Sequence, residues 1–201
     1  MPDSDSDEDL STGTREIEKA NKATASQISK SLVLAPDSIH TFKVTHAEDL
    51  DESARSSTWS MFETNMRTMY TSSSFRWDPP HKRGEMFNRL SRFILVFPTT
   101  GAQSLVAFTA FRFEFEDDEN ILYCYDLQVS KSSQRHGLGR TLMNHLAKIG
   151  KDFKLDKIML TVFKANTRAL RFYNNFGFKT DEASPEDADE EDYKILSRSC
   201  R

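Results

Sequence analysis

Glu114, Tyr123, Tyr125 and Asp126 lie close together in the chain and carry two carboxylates and two phenols between them. Such a set can take up, hold or pass on a proton if the fold gathers it on one face. The flanking residues offer a way to do so. Ser104–Phe115 and Ile121–Ser130 read as strands, and the polar stretch Glu116–Asn120 joins them as a hairpin. If Glu116 pairs with Ile121 across a four-residue loop, Glu114 falls opposite Tyr123 and Arg112 opposite Tyr125, all on one face. Because side chains alternate, a slip of one residue would scatter them. Asp126 points to the other face unless a bulge re-aims it.

A second constellation follows at Gln134-Arg135-His136-Gly137-Leu138-Gly139-Arg140. A strand leads through a short polar loop into two glycines that open a helix. Glycines allow close backbone approach, and the free amides and dipole of a helix N-terminus face an anion. Arg135 and Arg140 add fixed positive charge suited to phosphate oxygens. Alone, a Gly-x-Gly is a weak signal that a plain tight turn also explains. It is not a P-loop, for no Gly-Lys-Ser/Thr follows. Nor is it a three-glycine dinucleotide fingerprint, since Met143 stands where a small residue is needed.

The elements that must position these groups can be read from periodicity. The run Ser11–Lys30 is rich in Ala, Glu, Lys and Gln and favours a weak or docked helix that Pro36 ends. Ile39–Val44 alternates as a half-buried strand, and Asp49–Tyr70 reads as a helix carrying Leu50, Trp59, Phe62, Met66 and Tyr70. Ser72–Pro80 is a loop with Phe75 and Trp77, ending in Asp-Pro-Pro. Arg92–Phe97 is a further strand. Leu138, Leu142, Leu146 and Ile149 mark one face of a helix over Gly137–Lys151, and Lys157–Phe163 is apolar on both faces, as in a central parallel strand. A short helix at Asn166–Asn175 and strands starting at Phe176 and Tyr193 complete a mixed sheet flanked by helices.

Bulk properties exclude several classes. With 201 residues and 15 phenylalanines there is volume for a real core, and two cysteines, Cys124 and Cys200, suggest neither a disulfide framework nor a metal cluster. His81, His136 and His145 lack metal-ligand spacing. The amino terminus MPDSDSDEDL is acidic and unlike a secretory signal, and no window is apolar enough to span a membrane. A cytosolic or nuclear chain is expected, with no membrane partner. Net charge is −4, with acidic blocks at the N-terminus, at Glu114–Glu119 and at Asp181–Asp192. Such blocks are solvated by default; the sharper reading is that they steer a basic ligand. Nothing resembles a basic stripe for nucleic acid.

Asn166-Thr167-Arg168-Ala169-Leu170-Arg171-Phe172-Tyr173-Asn174-Asn175-Phe176-Gly177-Phe178 reads by itself as a capped helix with an apolar stripe. Paired with the glycine loop it says more. Gln-x-x-Gly-x-Gly, a strand, then Asn-x-x-Ala-x-x-Phe-Tyr-x-x-x-Gly-Phe resembles the GNAT acetyltransferase family, over about Ile39 to Leu196. The resemblance implies an α/β (α+β) GNAT fold: a mixed, mostly antiparallel central sheet flanked by helices, in a single domain at 36–201. An acidic disordered tail (1–10) and a helical extension (11–35) would precede it. It also implies acetyl-CoA as co-substrate, without a metal. The pyrophosphate would rest on Gln134, Arg135, His136, Gly137, Leu138, Gly139 and Arg140. Leu127, Gln128 and Val129 would line the acyl donor, and Thr161, Asn166 and Tyr173 its pantetheine arm and thiol. Strands of the family splay at this point, which fits a bulge at Asp126.

Within that family, Leu122–Tyr125, Met159–Lys164, Phe111–Phe113, the aromatic loop Tyr70–Trp77 and Tyr193–Arg198 resemble the histone-specific N-alpha-acetyltransferases, the NatD branch. That implies transfer to the free α-amine of histones four and two-A, which begin Ser-Gly-Arg-Gly. Asp126 is then the leading base, with Glu114 assisting or holding the substrate's first residues. Tyr123 and Tyr125 would orient the amine, and Tyr70, Phe75, Trp77 and Tyr193 would wall a peptide slot. Two departures stand out: a glutamate is usual in that branch at Asp126, and a tryptophan at Phe75. Histone tails are the expected partner and a monomer the expected form. Acetylation of lysines or small amines, and a non-catalytic acyl-CoA- or histone-binding module, remain open.

Overall fold

The computed structural model describes residues 14–33, 39–101, 104–186 and 191–200. The acidic tail expected at 1–10 and the break expected at Pro36 lie outside them.

The apolar runs build a seven-stranded sheet in the order β1-β2-β3-β4-β5-β7-β6. Its strands are β1 (His40–His46), β2 (Arg92–Pro98), β3 (Ala107–Glu116), β4 (Glu119–Val129), β5 (Lys157–Phe163), β6 (Lys179–Thr180) and β7 (Tyr193–Ser199). All pairings are antiparallel except β4 with β5. Helices cover both faces: α1 (Arg15–Asn21), α2 (Ala25–Ser29), α3 (Glu52–Thr71), α4 (Pro79–Met86), α5 (Leu138–Asp152) and α6 (Thr167–Asn175).

Two cores result, one on each face. Ile94 and Val96 of β2 face α5, α1 and α2, whereas Phe93 and Leu95 face α3 and α4. The stripe read from sequence on α5 is the one it buries: Leu138, Leu142, Leu146 and Ile149. Phe62, Phe93, Phe108, Phe111 and Phe113 are fully buried, and the burial of such side chains is the main favourable term in folding.

Three expectations are corrected. The run from Ser11 does not form one helix: Thr24 starts a second with a capping box, so α1 and α2 are separate turns. They dock on the sheet, where the Asn21 side chain donates to the Phe113 carbonyl and Arg92 donates to the Asn21 carbonyl. The loop Ser72–Pro80 ends sooner than expected, because Pro79 and Pro80 occupy the first turn of α4 behind the Asp78 cap, where a missing N–H costs nothing. The β3–β4 hairpin turns on Asp117 and Asp118 alone, both at positive φ (48° and 61°). Glu116 therefore pairs with Glu119, Glu114 with Ile121 and Arg112 with Tyr123. The register differs from expectation by two residues, an even number, so the side chains between the turn and Cys124 keep their faces.

Candidate active site

β3 and β4 do not run in step to their ends. Ala110 pairs with Asp126 but Phe111 with Cys124, which leaves Tyr125 as an extra residue. The bulge changes the parity of β4. Before it, Leu122 and Cys124 join the α5 core; after it, Leu127 and Val129 do. Tyr123, Tyr125, Asp126 and Gln128 thus all belong to the α3/α4 face, together with Arg112 and Glu114 of β3. The re-aiming that Asp126 needed is present.

The side chains so gathered form two linked groups. In the outer one, Tyr125 Oη donates to Glu114 Oε1 at 2.7 Å and accepts from Arg112 Nη1 at 3.3 Å. The Arg112 guanidinium lies 4.1 Å from the Tyr125 ring centroid and also donates to Ser91 Oγ and to the Glu85 carbonyl. Burial, with Glu114 alongside, pushes the Tyr125 hydroxyl well above its ordinary range. Tyr123 spans to β5, its hydroxyl 2.6 Å from Thr161 Oγ1, and burial raises it to about 12.

In the inner group, the Asp126 side chain is only 4 % exposed and pairs with Lys82 Nζ at 3.1 Å. Gln128 Nε2 donates to Asp126 Oδ1 at 3.2 Å, and Asn65 Nδ2 donates to Gln128 Oε1. Burial raises the Asp126 carboxyl, and Lys82 opposes the rise. Lys82 also pairs with Glu85. The Tyr173 hydroxyl, across the sheet's gap, is held well above its ordinary range by burial and by the nearby Cys124 and Asp126.

That gap is the second feature of the site. β4 and β5 pair only at Ile121–Lys157, Leu122–Ile158 and Tyr123–Met159. Past Tyr123, no further pairing between them occurs among the described residues. The inner edge of β4 over Cys124–Val129 is left open to a ligand, and the Leu127 and Val129 amides lie along this stretch. At its mouth, Arg135 (φ 67°) and Gly137 (φ 86°) are both left-handed. Alternate left-handed residues at a helix start turn successive amides inward to form an anion nest. Gly137 is the N-cap of α5 and provides no side-chain cap. The geometry suits a diphosphate at the loop with an extended arm in the gap.

Several residues read as ligand contacts also have partners within the protein. Gln134 Nε2 donates to the Val129 carbonyl, tying the loop to the strand. The Asn166 side chain caps α6 by accepting from the Ala169 amide. Arg140 lies over the Phe176 ring at 5.9 Å, His136 is exposed, and the Gln128 side chain is used on Asp126. Gly139 lies against Phe172 and Leu127. Trp77 stacks on Trp59 and Phe62, with centroids at 5.8 and 6.2 Å, and meets Tyr70 edge-on at 6.3 Å, so it joins the second core to the aromatic cluster. Tyr70, Phe75 and Tyr193 do cluster, around Phe163: Tyr70–Phe163 5.1 Å, Phe75–Phe163 5.5 Å and Phe75–Tyr193 5.1 Å.

Phe163, Lys82 and Glu85 escaped the sequence reading. Phe163 ends a strand whose apolar run explains it fully. Lys82 and Glu85 sit in a polar stretch that reads as surface; the one hint is that Lys82 stands a helical turn before the buried Met86. Of the acidic loop, Asp181 pairs with Lys157 at 2.9 Å and Asp192 accepts from the Ser74 amide and hydroxyl. Residues 187–190 lie outside the described ones. Among the described residues there is no cluster of three metal-ligating side chains, and no helix is long and apolar enough to cross a membrane.

Solved structures share this architecture. An acetyltransferase of the GNAT family from Staphylococcus aureus superposes with a TM-score of 0.60 at 14% identity, covering 80% of this chain and 100% of that one. Ard1 from Thermoplasma volcanium gives 0.56 at 16% identity, with 81% and 98% covered. The NatC complex bound to Gag peptide and CoA gives 0.59 at 16%, with 81% and 99% covered. At these identities the likeness is one of fold. The family model of the Acetyltransferase (GNAT) family matches residues 57–178, which run from within α3 through α6 and hold the bulge, the open strand edge and the glycine nest. The chain belongs to the GNAT acetyltransferase family, whose acyl donor is acetyl-CoA.

Proposed function

We propose that the protein transfers the acetyl group of acetyl-CoA to the free α-amine of histone amino termini beginning Ser-Gly-Arg-Gly. The observation that carries this reading is the bulge at Tyr125, which brings two carboxylates and two phenols to one face beside the open edge of β4. The deprotonated amine attacks the thioester carbonyl; the C–N bond forms and the C–S bond breaks. The amine's proton passes through water to Asp126, the inner carboxylate, with Glu114 outside it. The CoA thiolate takes a proton from Tyr173, which recovers one from solvent. Tyr123 and Tyr125 orient the amine, and the Leu127 and Val129 amides polarise the carbonyl, the oxyanion principle. An α-amine titrates near about 7.7–8.0 and a lysine near about 10.4, so a carboxylate base suits the former.

Tyr70, Phe75, Phe163 and Tyr193 supply an aromatic wall for the first residues, and Glu114 and Glu85 supply charge for the arginine that follows. All these groups come from one chain, in keeping with a monomer, and histones place the reaction in cytosol and nucleus. The solved NatC complex with a bound peptide is a GNAT-fold precedent for a peptide acceptor.

The test uses acetyl-CoA with Ser-Gly-Arg-Gly-Lys peptide, amino-free or amino-blocked, and locates acetyl groups by fragmentation mass spectrometry. Acetylation of the free terminus alone supports the proposal. Lysine acetylation of the blocked peptide, or binding without transfer, refutes it.

A further inference from the structure

Lys82 is anomalous for its place in the sequence. It stands in a short polar helix, yet its side chain is only 8 % exposed. Its ammonium pairs with Asp126 and Glu85 and lies 5.1 Å from the Phe62 ring centroid and 5.7 Å from that of Tyr70. A buried ion pair is often matched or bettered in stability by apolar residues of the same volume, so stability alone is a weak reason to bury an ammonium here.

We propose that Lys82 is a positioning residue of the transfer reaction: it keeps the Asp126 carboxyl ionised and aimed, and so sets the pH at which that carboxylate begins to accept the amine's proton. The proposal rests on the reading of Asp126 as the inner base.

The surroundings support it. Lys82 and Glu85 of α4 and Tyr70 of α3 share the face of Asp126, and Cys124 on its own strand and Tyr173 of α6 lie close enough on the other side to feel its charge. Among these, Lys82 alone is a cation. Burial and Glu85 push the carboxyl up; Lys82 and the Gln128 amide pull it down. Lys82 in turn is held firmly protonated, against its burial, by Asp126, Tyr70 and Glu85. α4 is fixed in place by its proline start and by the Arg112 hydrogen bond to the Glu85 carbonyl. The ammonium is thus held at a fixed place beside the acceptor oxygen.

The experiment is the pH profile of the single-turnover rate with saturating acetyl-CoA and Ser-Gly-Arg-Gly-Lys peptide. The amine's own titration is common to all variants, so a displacement between profiles reports the enzyme. Lys82→Met removes the charge at similar length and should move the acid limb to higher pH by about one to three units, the usual effect of losing an opposite charge at this range. Lys82→Arg should return the limb toward its original place. An unmoved limb in Lys82→Met would overturn the proposal. Should that variant fail to fold, Lys82→Gln carries the test: it removes the same charge with a polar side chain, its limb should also move to higher pH, and a limb that stays put overturns the idea. Asp126→Asn is run alongside. If it turns over normally, the assignment of the base falls and takes this proposal with it. If it is inactive while the Lys82→Met limb is unmoved, only the role of Lys82 falls.

Discussion

His145 gives the sharpest prediction about stability. It lies on α5 with no exposed surface, its ring edge-on to Phe42 at 4.9 Å, and its Nδ1 accepts from the Val33 amide at 3.2 Å. Burial lowers its pKa from 6.5 to about 4. A proton on Nδ1 would also destroy the bond that holds the segment after α2 against α5. Above the unfolded value of 6.5 both states are neutral and the full stability is present. Between that value and about 4 the unfolded chain takes a proton that the folded chain refuses, so stability falls as pH falls, and below about 4 the loss is complete. At about 1.4 kcal/mol per unit, the total is roughly 3 kcal/mol, or on the order of 6–12 °C in Tm for a domain of this size. Other groups also titrate in acid, so the quantity to read is the difference between wild type and His145→Gln, which keeps an acceptor for Val33 and does not titrate. Urea unfolding of both proteins across this range should show the wild type losing about 3 kcal/mol relative to the variant. Parallel curves would refute the reasoning. So would a His145 imidazole titrating by NMR near its ordinary value.

Two further outcomes follow from the glycines. Gly137→Ala must hold a side chain at φ 86°, a cost of roughly 1–2 kcal/mol; it should raise the KM for acetyl-CoA about tenfold, whereas Gly139→Ala, whose added methyl meets Phe172 at an ordinary 3.5 Å, should change it far less. Gly150→Ala should destabilise the wild type, because its methyl would overlap Cys200 Sγ. In a Cys200→Ala background the same change should become stabilising by up to about 1 kcal/mol, the helix-propensity gain; a thermal melt of the four proteins reads the change of sign.

The parts of the fold that were legible in sequence are those with local causes. The α5 stripe, the doubly apolar β5 and the glycine start of α5 each state their own periodicity. The hairpin register was not legible, because Asp117-Asp118 contains no glycine and does not announce a two-residue turn, even though aspartate tolerates the left-handed region. α4 was hidden by prolines, which end one helix and begin the next. The candidate site was half legible. Glu114, Tyr123, Tyr125 and Asp126 are neighbours in the chain, and one hairpin brings them together. Lys82 and Glu85 reach the same place only because α4 docks across the sheet. Trp77 was legible only as an aromatic in a loop; that it stacks on Trp59 and Phe62 depends on how α3 folds back over the loop.

The extra residue at Tyr125 makes β4 a strand with two reading frames. Upstream, even-numbered positions such as Leu122 and Cys124 serve the α5 core; downstream, odd-numbered Leu127 and Val129 do. Closing the bulge at the present length would commit two opposite errors at once: Asp126 and Gln128 would enter an apolar interior, and Leu127 and Val129 would face Asn65 and Lys82. Deleting Tyr125, by contrast, would leave every downstream residue on its face and cost only one of the two neighbouring side chains that share this one. The residue count at this point is thus a condition of the site's chemistry, which needs Tyr125 and Asp126 side by side, and not of the packing of the two cores.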